Sequence, residues 1–159
     1  TGNLSDDLSR TITNDSGRDV SPTEFGLGVA YYPNRKFLLS SDVYYYLADS
    51  DFNGFKNVDT WNISLGSEFF LSDTSAVRAG FFTDNANTPP LGTGKNQPSN
   101  INMRGLSLSY SFLSSGSSFT LGMIYSKGDG KGQVIGETTN IQDIQKTNTT
   151  AYITGSYQM

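Results

Sequence analysis

The stretch Asp59-Thr60-Trp61-Asn62-Ile63-Ser64-Leu65-Gly66-Ser67-Glu68-Phe69-Phe70-Leu71-Ser72-Asp73-Thr74-Ser75-Ala76-Val77-Arg78-Ala79-Gly80-Phe81-Phe82-Thr83 decides the fold. Trp61, Ile63, Leu65, Phe69 and Leu71 alternate with Asn62, Ser64, Gly66, Glu68 and Phe70. After Ser72-Asp73-Thr74 the alternation resumes, with Val77, Ala79 and Phe81 set against Ala76, Arg78, Gly80 and Phe82. A period of two puts successive side chains on opposite faces of a strand. The stretch therefore predicts an antiparallel hairpin with one apolar face and one small, polar face. With the turn centred on Asp73, Glu68 stands directly opposite Arg78 as a cross-strand ion pair.

Working outward, the same rhythm recurs in residues 25–32, 37–48, 103–113, 119–126 and 149–159. That makes seven clear strands and no helical periodicity. The connections alternate in length: residues 33–36, 72–74 and 114–118 are tight turns, whereas 49–60, 84–102 and 127–148 are long. Short turns at one end and long loops at the other are the pattern of an outer-membrane barrel. Residues 133–137 are read as a short hairpin arm within the last long loop.

The aromatic residues follow this division. On the apolar face Tyr31, Phe37, Phe69, Phe112, Phe119 and Tyr157 lie near tight turns or the chain end, while Phe25, Tyr45, Trp61, Phe81 and Tyr125 lie toward the long loops. Two aromatic bands flanking an apolar strip are expected where strands cross the two membrane–water interfaces. Phe and Tyr also favour strands in general, but here the bands share a face and track loop length.

Composition bounds the chemistry. The chain has 159 residues, 35% of them apolar and 16% charged, with 10 Phe, 9 Tyr and 1 Trp. That allows one domain and is too aromatic and too weakly charged for a disordered chain. There is no Cys or His, which removes disulfides, thiolate and Ser-His-Asp chemistry and most zinc sites. A formal charge of −4 argues against nucleic acid as a partner. Gly128-Asp129-Gly130-Lys131-Gly132 has neither the phosphate-loop nor the Ca²⁺-loop spacing. No enzyme, cofactor or metal site is expected. The start lacks Met and a signal-peptide pattern, so a mature, trimmed or fragmentary product is expected.

The fold expected is an all-β, antiparallel transmembrane β-barrel. Its seven strands are expected to be part of a larger, roughly 14-stranded barrel, the alternative being a complete eight-stranded one, because bacterial barrels have even strand counts. Residues 1–23 are read as an extracellular loop or a weak first strand, since either face of residues 1–14 would carry polar or charged groups toward lipid. Residues 24–159 carry the barrel strands, with short periplasmic turns and long extracellular loops.

Residues 21–33, 39–45 and above all 59–71 followed by Val77-Arg78-Ala79-Gly80-Phe81-Phe82 resemble strand motifs of the FadL/TodX-type family. These are outer-membrane transporters of long-chain fatty acids and other hydrophobic compounds. The resemblance spans about residues 21–159 and the family's C-terminal half. It implies a fourteen-stranded barrel plugged by an N-terminal hatch, with ligand held in a hydrophobic lumenal pocket. Neither the hatch nor the first strands match anything here. Barrels of this kind usually end in Phe, whereas this chain ends Tyr157-Gln158-Met159.

The resemblance implies uptake of long-chain fatty acids or other hydrophobic small molecules across the outer membrane of a Gram-negative-type bacterium. Asp42, Glu68 and Arg78 would be polar anchors, and Tyr44, Tyr46, Phe70 and Phe82 the apolar wall. Two plainer readings stand beside it: the Glu68–Arg78 pair only sets register, and the inner aromatics only fill a narrow barrel. Partners implied are outer-membrane lipid and lipopolysaccharide, a hydrophobic ligand, and a second chain or N-terminal segment that completes the barrel. The alternative function is a small structural or adhesive barrel that presents its loops and transports nothing.

Overall fold

The computed structural model describes residues 23–48, 57–94, 97–133 and 139–157. Seven strands follow one another: β1 (Glu24–Asn34), β2 (Phe37–Tyr46), β3 (Thr60–Ser72), β4 (Ser75–Asp84), β5 (Asn100–Ser114), β6 (Ser117–Gly132) and β7 (Gln142–Tyr157). They form one antiparallel sheet in sequence order, with no helix among the described residues. Adjacent strands joined by short turns pair with little loop-closure cost, and alternation fixes which side each residue takes.

The tight turns are built locally. Asn34 Oδ1 accepts the Lys36 N–H at 2.9 Å. Ser72 Oγ accepts the Thr74 N–H at 3.2 Å and lies 2.8 Å from Ser75 Oγ. Gly116 turns the chain at φ 77°, a conformation costly for a side-chain-bearing residue. At the other end, strands outrun the sequence expectation. β6 continues to Gly132 and β7 starts at Gln142, so much of the expected loop 127–148 is paired strand. Most of the expected hairpin arm 133–137, and residues 1–22, lie outside the described residues.

The register puts the two residue sets on opposite faces throughout. Phe25, Tyr45 and Trp61 face one another in a row across β1, β2 and β3. Leu65, Phe81, Leu106 and Tyr125 form another across β3 to β6. Near the turns, Phe37 stacks edge-on to Phe69 at 6.4 Å, and Tyr110 joins Phe112 at 4.7 Å. This apolar face is open: Leu27 is 79% exposed, Leu106 60%, Leu108 56% and Met123 52%.

The opposite face holds most of the buried groups. Among the described residues Ala76 and Met103 are its buried apolar side chains, and Thr60, Ser109, Ser111 and Ser126 its buried polar ones, whereas buried Ser75 stands opposite Phe112 on the apolar face beside a turn. The sheet thus shelters much of its small, polar face and leaves its apolar face open. Phe82 lies over Gly105 and Tyr152 over Gly122, each glycine being the ring's cross-strand partner. Such a ring covers backbone that glycine leaves bare. Gly105→Ala would drive a methyl group into the Phe82 ring, and a loss of about 1–3 kcal/mol is expected in urea unfolding.

β1 and β7 each pair on one side only among the described residues. With six antiparallel steps between them, they run in the same direction.

Candidate functional site

One inner-face row of the sheet reads Leu38, Glu68, Arg78, Ser109, Gly122 and Tyr152, from β2 to β7. Arg78 Nη2 lies 2.6 Å from Glu68 Oε1, the one close ion pair among the described residues. The approach is off the direction of the N–H bonds, so Glu68 Oε1 is buried without an aligned donor. Arg78 Nη1 donates instead to Ser111 Oγ, which sits 2.7 Å from Thr120 Oγ1. The guanidinium is held from both sides, 41% exposed, against a carboxylate that is 14% exposed.

The next row toward the long connections has almost no side chains: Ser40, Gly66, Gly80 and Ser107. Gly66 and Gly80 oppose each other directly, leaving a gap in the inner surface. Beyond it the row Asp42, Ser64 and Phe82 closes the far side. The result is an open hollow of about 420 Å³, floored by glycine and bounded by Leu38, Asp42, Glu68, Arg78, Phe82 and Tyr152. That volume lies within the usual range for small-molecule sites.

Of the seven lumenal candidates from sequence, four meet here: Asp42, Glu68, Arg78 and Phe82. The other three share the face but not the hollow. Tyr44 lies over Gly26. Tyr46 borders a separate 240 Å³ recess with Asn62, Asp84 and Asn87. Phe70 sits beside the turns, with Arg35, Lys36 and Asp73. Sequence reasoning missed Leu38, Tyr152, Ser107 and Ser109 among others. The signal for Tyr152 was an aromatic facing a glycine, as at Phe82 and Gly105, but it is visible only once β6 and β7 are in register.

The end with the long connections is braced. Asn62 Oδ1 accepts the Asn85 N–H at 2.7 Å, and Asn85 Nδ2 donates to the Trp61 carbonyl at 2.8 Å. Gln97 accepts the Gly92 N–H at 2.6 Å, and the Gln97 N–H donates to Gln133 Oε1 at 2.9 Å. These bonds tie the β4–β5 connection to β3 and to the end of β6. The chain matches no protein-family model, no curated protein and no solved structure.

Proposed function

We propose that the sheet is part of a transmembrane β-barrel in the outer membrane of a Gram-negative-type bacterium, and that it passes hydrophobic small molecules along its inner face, as the FadL/TodX-type resemblance implies. The observation that carries this reading is the open apolar face, to which each of the seven strands adds at least one exposed apolar side chain and which carries aromatics toward both ends. Hydrocarbon satisfies that face; water does not. The inner hollow then faces the lumen and offers ligand a wall of Leu38, Phe82 and Tyr152. Two acids against one base leave it net negative, which favours neutral hydrophobic compounds over free carboxylates.

An open sheet edge is not tolerated in hydrocarbon. Because β1 and β7 run in the same direction, antiparallel closure needs an odd number of further strands. One more gives eight and seven more give fourteen, so both expected barrels qualify. A second copy of this chain in the same orientation does not, because its β1 would lie parallel to β7. A further segment or a different chain is the closure proposed. No catalysis is proposed.

The test uses the closed, bilayer-reconstituted protein and a neutral fluorescent hydrophobic probe. Saturable binding is expected, with a fluorescent fatty acid bound more weakly. Gly80→Val is expected to weaken probe binding about tenfold by filling the floor of the hollow. A Cβ there meets only Ser107 Oγ closely, at 2.6 Å, and that hydroxyl rotates away. Unsaturable binding, or equal binding by Gly80→Val, overturns the transport reading. The structural or adhesive reading draws on the braced β4–β5 connection, which holds a fixed outer surface. It expects no saturable probe binding at all.

A further inference from the structure

Just beyond the aromatic row on the apolar face, the sheet places two cations directly opposite each other: Arg104 on β5 and Lys127 on β6. The row reads Thr83, Arg104, Lys127 and Thr147. The same-face row below holds Phe81, Leu106 and Tyr125, and the row above holds Asn102 and Asp129. Both cations are exposed. Like charges in facing positions repel. Neither has a carboxylate within ion-pair distance among the described residues, where the close pair is Glu68–Arg78. Asp129, the nearest carboxylate by register, lies one row up and diagonal to Arg104. Lys131, by contrast, faces Asp143 directly.

The height of this pair matters. Lys127 is eight residues above Phe119 in the lower aromatic band. At ~3.3 Å per residue and a strand tilt of ~40°, that is roughly 20 Å of height, close to the edge of a ~25 Å apolar band. Long basic side chains there extend outward to the headgroups. Thr83 is already engaged, accepting the Ile63 N–H at 2.9 Å, so the two cations face the headgroup layer without it.

We propose that Arg104 and Lys127 together clamp the phosphate of an outer-leaflet lipid headgroup. This rests on the membrane reading above. A phosphate between them turns a repulsive pair into two charge-assisted contacts, and a guanidinium suits its planar recognition. The long connections put this end outside, where the outer leaflet presents phosphorylated glycolipid.

The test is native mass spectrometry of the protein in neutral detergent with bisphosphorylated lipid A, dephosphorylated lipid A or inorganic phosphate. Wild type is expected to retain the phosphorylated lipid, and Arg104→Gln/Lys127→Gln to retain about tenfold less. Lys131→Gln is expected to behave as wild type. Removing the repulsion is also expected to raise the melting midpoint of the lipid-free double variant, which a purely structural role for the pair would lower. Equal retention by the double variant, equal retention of the dephosphorylated lipid, or displacement by millimolar inorganic phosphate overturns the clamp. If wild type fails to enter zwitterionic bilayers, the membrane reading falls and the clamp with it; if it enters and the double variant still matches it, only the clamp falls.

Discussion

Leu108→Arg is expected to destabilise the bilayer-inserted protein by about 2–4 kcal/mol, read by urea unfolding from vesicles. Leu108 is 56% exposed on the apolar face and pairs with Met123, midway between the Phe119 and Lys127 levels. In water, an exposed Leu exchanged for Arg changes stability by no more than about 0.5 kcal/mol and improves solubility. In hydrocarbon it strips a guanidinium of its hydration at the depth where no headgroup is within reach. The two solvents therefore give different magnitudes for the same substitution. Asn102→Arg supplies the depth control: it lies on the same face, above the aromatic rows and opposite Asp129. Its expected cost is about 0–1 kcal/mol, as near the interface. A flat profile, with both substitutions near zero, would show that water bathes this face and would remove the ground for a barrel.

What was legible in the sequence was the alternation, and it carried far. Trp61, Ile63, Leu65 and Phe69 pair with Tyr45, Val43, Ser41 and Phe37, Leu65 also pairs with Phe81, and Phe81 with Leu106, so these share one face as the alternation requires, because a one-residue slip would invert a whole strand. Glu68 and Arg78 pair as the turn at Asp73 requires. The tops of β6 and β7 were not legible. Lys127, Asp129, Lys131, Asp143 and Gln145 carry no apolar rhythm, yet they stay in the ladder because pairing satisfies their backbone groups whatever the side chains.

The hollow was half legible for a related reason. Charged residues on a polar face stand out, so Asp42, Glu68 and Arg78 were visible, but its shape depends on absent side chains. Gly66 opposite Gly80 makes the floor, and Gly122 lets Tyr152 lie inward. Those pairings join residues on different strands, so they emerge from register rather than from any one segment.

Arg78→Leu is expected to cost about 2–3 kcal/mol, below the ~3–5 kcal/mol of a fully buried pair because Arg78 is 41% exposed. The loss falls on Glu68, which is left only 14% exposed with no cation beside it, and on Ser111, which loses its donor. Glu68→Gln/Arg78→Leu is expected to recover more than half of that loss, since the stranded carboxylate is gone. A double-mutant cycle by urea unfolding in vesicles reads the coupling, expected at about 1–2 kcal/mol. Coupling near zero would make the pair an ordinary solvated contact, leaving alternation alone to hold β3 against β4. The same variants separate structure from ligand handling. If the pair only sets register, Glu68→Gln/Arg78→Leu binds the neutral probe as wild type does. If it also sets the charge of the hollow, the double variant, with Asp42 its one remaining charge, keeps its preference for neutral over carboxylate probes, and Glu68→Gln alone narrows that preference by uncovering the guanidinium.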